Sequence, residues 1–162
     1  MTHSGIFWFK HQNSRAVEHC LRALELDPNF IPLRWMLANA YENEELHEQA
    51  IDERRWAVEH SGGASVFLAE LAASCAAAGN RDESIRILAQ LDGVSKTQYV
   101  PAYYCALVYA ALKQTDEAFH WLDTAYRERS ARLTFLKIDP RLEFLRSDPR
   151  FGDLLRRMNF PS

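Results

Sequence analysis

An all-α fold of stacked helix pairs is what this sequence predicts, and three observations carry the expectation. Apolar and small residues recur at helical spacing, as in "RAVEHCLRALELDPNF", where Ala16, Val17, Cys20, Leu21, Ala23, Leu24 and Leu26 form one stripe. The chain falls onto itself without a gap at one fixed shift. No stretch alternates apolar and polar residues between turn residues, so strand signals are absent.

The 34-residue shift carries Ala16 onto Ala50, Ser84 and Ala118, and Ala23 onto Ala57, Leu91 and Ala125. One helix earlier, Ser4 maps to Ala38, Ala72 and Ala106, and Phe7 maps to Tyr41, Cys75 and Tyr109. A fixed period in this range means supersecondary units that bury their apolar faces by stacking. The helices expected are 1–11 with 14–26, 31–43 with 47–60, 65–78 with 81–92, and 99–112 with 115–129. Pro28 ends the first pair, because it lacks an amide hydrogen and clashes with the preceding turn. Gly79-Asn80 reads as a C-cap and Thr115-Asp116 as an N-cap. The small columns also have a physical cause. Two helices approach closely only where side chains are short, and larger neighbours such as Leu37, Leu71, Tyr41 and Tyr109 fill the space around that contact.

The segments "WMLANAYENEELHEQAIDERRWAVE" and "CALVYAALKQTDEAFHWLDTAYRE", with the helix end "ALELDP", resemble the tetratricopeptide repeat (TPR) family. The resemblance covers roughly residues 1–130 as four units near 1–30, 31–64, 65–98 and 99–132. Cys75 stands in an aromatic column, Leu91 in a small one, and Asp-Pro is missing after the second to fourth units. The family implies a right-handed solenoid in which the first helix of each pair lines a concave groove. Met1 falls inside a first helix, so the first unit is expected to be truncated and the chain to be a piece of a longer protein, or its gene to be read short.

After residue 130 the period is expected to stop, leaving 131–162 as capping helices. Asp139-Pro140-Arg141 and Asp148-Pro149-Arg150 each pair an N-cap residue with a proline at the first helical position, giving short helices near 140–146 and 149–158. Leu142, Phe144, Leu145, Phe151, Leu154 and Leu155 could seal an open solenoid end. This tail resembles the ends of bacterial TPR segments attached to winged-helix regulators, nucleotide cyclases and protein kinases.

Composition excludes several classes. At 48% hydrophobic and 25% charged, with 6 Gly and 6 Pro, the chain is neither disordered nor collagenous, and 162 residues suffice for one core. A net charge of -3 argues against generic nucleic-acid binding. The beginning "MTHSGIFWFKHQ" lacks a signal peptide's apolar run, and no segment is long and apolar enough for a bilayer. Three cysteines fit reduced thiols in a cytoplasm better than a disulfide framework. Residues 126–162 carry 9 Lys and Arg against 5 acids, so the tail could dock phosphate or an acidic peptide, although helix-end compensation accounts for most of it.

Catalytic signals are poor. The histidines at 3, 11, 19, 47, 60 and 120 form no ligand-spaced pair beside a carboxylate or Cys, and His19 and Cys20 point about 100° apart on a helix. Cys75 and Cys105 fall in core columns, and no glycine-rich phosphate loop exists. No enzyme activity, cofactor or metal is expected. The informative surface is a stripe beside the core on the first helices: Trp35, Asn39 and Glu42, then Ala69, Ala73 and Ala76, then Tyr103, Leu107 and Ala110, with Trp8 the equivalent of Glu42. It reads as an alanine floor between aromatic walls, wide enough for a peptide or helix. Trp35 and Tyr103 are expected to carry recognition, with Asn39 orienting a ligand backbone. A terminal-carboxylate clamp is not expected, since that stripe offers only Asn39 in such chemistry. The expected role is a non-catalytic protein-interaction scaffold. The alternative is an intramolecular regulatory or oligomerisation module of a larger signalling or transcription protein, its groove filled by its own chain or a missing N-terminal region.

Overall fold

The computed structural model describes the backbone of residues 3–160 and side chains from Arg15 onward. Among the described residues every regular element is helical. Helix α1 (His3–Leu26) leads into three hairpins: α2 (Ile31–Asn43) with α3 (His47–His60), α4 (Ser65–Ala77) with α5 (Arg81–Ser95), and α6 (Ala102–Ala111) with α7 (Thr115–Arg127). α4 packs on α3 of the preceding hairpin and on α6 of the next. No helix among the described residues is long and apolar enough to cross a membrane.

The hairpin turns repeat with the sequence. Glu45, Gly79 and Lys113, each one repeat period from the next, hold φ of 61°, 84° and 61°. The following amides, of Leu46, Asn80 and Gln114, donate back to the carbonyls of Tyr41, Cys75 and Tyr109 at 2.9, 2.8 and 2.9 Å. This is the Schellman closure, in which a left-handed residue lets the chain satisfy its last free carbonyls. Glycine meets that demand only at position 79, so the two non-glycine turns accept a strain of about 1–2 kcal/mol that hairpin packing must offset. The turn also decides where the next helix begins. Gln114 is the boundary residue and Thr115 the first helical one, without a side-chain cap, contrary to the expected Thr115-Asp116 N-cap.

The first unit departs from expectation. The expected pairing of 1–11 with 14–26 is not seen among the described residues; α1 runs unbroken through Gln12 and Asn13. His11 is in register with Glu45 and Lys113, yet the helix does not turn there. α1 ends at Leu26, where Asp27 accepts from the Asn29 amide at 3.1 Å around Pro28. α6 begins at Ala102 instead of 99 because Pro101 restricts the residue before it to extended geometry.

The tail comprises 3₁₀ segments at Ala131–Phe135 and Pro140–Ser147, then α8 (Pro149–Arg157). Asp139 and Asp148 cap as expected, accepting from the amides of Arg141 and Arg150 at 3.0 and 2.9 Å. The short helix expected near 140–146 is present, as a 3₁₀ segment. One expectation is corrected: the repeat spacing of helix starts does not stop at 130. Helix-boundary residues fall at Leu46, Asn80, Gln114 and Asp148, each one period after the last, so α8 starts in register with α3, α5 and α7. Gly152 continues the small column of Ala50, Ser84 and Ala118. Arg150 pairs with Asp116 and Arg157 with Asp123, both at 2.8 Å and both across one full period, so α8 lies along α7 in register. Asp139-Pro140 occupies the Leu37-Ala38 position of this degenerate unit, and Pro140 prevents a first α-helix from running through it.

Most buried apolar side chains form one cluster from Ile51 to Leu154; Cys20, Leu24 and Leu37 make a smaller one between α1 and α2. α6 is enclosed on all sides, with residues 102–108 all buried. Ala38, Ala72, Ala106, Ala50 and Ala118 are completely inaccessible. Ala118→Leu is therefore expected to overpack this contact and cost about 1–3 kcal/mol. Thermal melts in which the variant matches the parent would remove the close-packing role of the small column.

Candidate functional site

A concave cavity of about 980 Å³ opens along α2, α4 and α6 and is closed on one side by the tail. Its wall includes seven of the stripe residues expected from the sequence: Trp35, Asn39, Glu42, Ala73, Ala76, Tyr103 and Leu107. The side chain of Trp8 lies outside the described residues. Ala69 and Ala110 are fully buried and contribute no surface. Both sit in the main core instead of at the wall.

Ala73, Ala76 and Ala77 line the cavity, and a buried polar network lies behind them. Arg54 of α3 is 1% exposed and Glu70 of α4 likewise 1%. Their charged ends touch at 2.6 Å, Nη1 to Oε2, off the line of a good hydrogen bond. The second Arg54 nitrogen, Nη2, donates to Asn39 Oδ1 at 2.7 Å and to Glu42 Oε2 at 3.3 Å, and Nε reaches Ser74 Oγ at 3.4 Å. Ser74 donates to Glu42 as well. On the far side Glu70 Oε1 accepts from Arg141 Nη1 at 3.4 Å. Arg141 grips Asp139 through Nε and Nη2 at 2.9 and 2.8 Å, the planar fork matching the carboxylate. Tyr103 donates its hydroxyl to Asp139 Oδ2 at 3.0 Å. One alternating chain of charge, Glu42–Arg54–Glu70–Arg141–Asp139, thus links α2, α3, α4 and the tail.

This network bears on the roles foreseen for three residues. Asn39 spends one of the two lone pairs of its carbonyl oxygen on Arg54, which fixes the orientation of the amide at the wall. Glu42 is committed to Arg54 and Ser74. Tyr103 is 2% exposed and fixed by Asp139, so it is a structural strut and not a free aromatic wall. Burial first, and then the Asp139 charge, hold its hydroxyl far above the ordinary phenol range. Burial alone would raise the Asp139 carboxyl, but the hydrogen bonds and charge of Arg141 outweigh it and hold that group below the usual carboxylate value.

The tail supplies what the stripe lacks. Phe135 and Ile138 stand at the rim, 47% and 69% exposed. The Arg132 guanidinium sits among the rings of Trp35, Tyr104 and Phe135, at 5.5, 5.5 and 5.9 Å from their centroids. Lys113, from the α6–α7 turn, lies 4.3 Å over the Phe144 ring. The sequence carried one signal for the buried network. Glu70 interrupts the apolar run "VFLAELAAS" of a helix otherwise enclosed, and a carboxylate in that setting needs a cation beside it. Nothing local names Arg54 or Arg141 as that cation.

Among the described residues no group of three His, Cys, Asp or Glu could hold a metal ion. Cys20, Cys75 and Cys105 are buried and unpaired, and burial pushes the Cys105 thiol up to about 12, where it stays protonated at neutral pH. No family model and no curated protein matches the chain. The cavity and its lining are therefore what a functional reading rests on.

Proposed function

We propose that this chain is a TPR-type helical repeat protein, a non-catalytic scaffold that binds a peptide or helix of a partner protein in the cavity between α2, α4, α6 and the tail. The supporting observation is an open cavity walled by the same face of three successive first helices, with apolar side chains at its rim. Pockets of this volume with apolar walls and a few fixed polar groups are where proteins hold ligands. The fixed layer behind the wall suits this role. Arg54 and Glu70 neutralise each other there and tie α3 to α4, which supports a cavity that keeps its shape when empty and leaves little ordering cost at binding.

Recognition is assigned to Trp35, Phe135 and Ile138, since Tyr103 is tied up in the network. Interface energy concentrates in a few large side chains, each contributing about 2 kcal/mol or more when truncated. Peptides selected for binding to the intact protein are expected to lose affinity by that order in Trp35→Ala and in Phe135→Ala, measured by titration calorimetry. Unchanged affinity in both variants places the binding site elsewhere.

The alternative, an intramolecular regulatory or oligomerisation module, draws on the tail's seat at the cavity. It predicts self-association through the exposed Phe135 and Ile138. Light scattering that shows a monomer across concentration would count against it.

A further inference from the structure

We propose that the partner segment held in this cavity is acidic as well as apolar, with separate Asp or Glu side chains read by Arg132 near the start of α6 and by Lys113 past its end. This rests on the reading of the cavity as the binding site and adds the chemistry of the occupant. The whole chain has a net charge of -3, yet the cavity wall carries Lys113, Arg132 and Arg141 against Glu42 and Asp139. Beneath the wall Arg54 and Glu70 cancel. The acids at the wall are committed: Asp139 is held by the fork of Arg141, and Glu42 by Arg54 and Ser74. Arg132 and Lys113 are different. Both are exposed, and among the described residues each has aromatic rings as partners and forms no salt bridge.

The geometry explains why these two cations are suited to reading a charge. Three rings hold the Arg132 guanidinium, so its planar donor edge is oriented in advance while its hydrogen-bonding capacity remains unspent. A carboxylate placed there gains two charge-assisted hydrogen bonds with little lost side-chain freedom. Phe135 stands next to the same guanidinium, so an apolar side chain neighbouring the carboxylate finds its contact alongside. The reader of charge thus comes from the segment after the last hairpin and the α6–α7 turn, not from the first-helix stripe. Internal acidic side chains are the commitment, as distinct from a chain terminus.

The test is a selection of random short peptides on the intact protein, in two formats. One holds each peptide at both ends inside a carrier, and the other leaves the C-terminus free. The expected result is enrichment, in the held format, of peptides combining Asp or Glu with large apolar residues. Their affinity should fall by roughly tenfold or more in Arg132→Gln with Lys113→Gln, as loss of a charge-assisted contact implies. It should also weaken as salt is raised. Both residues are exposed, and an unchanged melting temperature would show that the double variant is folded. Enrichment of neutral or basic peptides at the cavity overturns the inference and leaves the binding role standing. Enrichment only with free C-termini overturns it in favour of terminal-carboxylate capture. Binders indifferent to Trp35→Ala and Phe135→Ala overturn the cavity reading itself.

Discussion

Arg54→Met is expected to lower folding stability by about 3–5 kcal/mol, the cost of leaving a buried carboxylate without its counter-ion. Glu70 has no exposure through which water could take over, and its remaining contact, to Arg141, is 3.4 Å long. The same change strips Asn39, Glu42 and Ser74 of a donor. Domains of this size are stable by only about 5–15 kcal/mol, so the variant should melt far below the parent or be partly unfolded at room temperature. Urea titration supplies the number. A double variant, Arg54→Met with Glu70→Leu, is expected to recover much of the loss, because a buried ion pair is often no better than apolar groups of similar volume. If the single variant unfolds at the parent's urea midpoint, the network is not what holds α3, α4 and the tail together.

Deleting residues 138–162 is expected to abolish cooperative melting or lower the midpoint steeply, and to promote association. Leu142 and Leu145 are completely buried, and Phe151 and Leu154 nearly so, all in the main core. Truncating one such residue to Ala costs about 2–5 kcal/mol, so removing four exceeds what the remaining hairpins can hold in reserve. The deletion also uncovers the flank of α6 and breaks the Tyr103–Asp139 bond, leaving an apolar end that invites association. Calorimetry and light scattering report the two effects separately. A free arginine-rich arm would predict that neither property changes and that amides across 140–157 exchange rapidly. Slow exchange at Leu145, Phe151 and Leu154 is expected instead.

The sequence by itself determined the helices and the places where they turn. These depend on residues within a few positions of each other. Apolar spacing marks α2 to α7, the 34-residue period aligns them, and Asp-Pro fixes the starts of the last 3₁₀ segment and α8. Where the local signal was silent or shared, it misled. His11 lies in register with Glu45 and Lys113, but α1 continues through it. The tail's missing first helix made the period look finished, although Asp148 and Gly152 still keep it. The site belongs to tertiary structure. Arg54 and Glu70 come from different hairpins, and Glu70 and Arg141 from opposite ends of the main core, so such charge pairs leave no pattern along the chain. Folding chose them because an enclosed helix cannot keep Glu70 charged without cations brought to it from other elements. That demand seated Arg141 against α4, carried Arg132, Phe135 and Ile138 to the rim, and turned a stripe of small residues into a walled cavity.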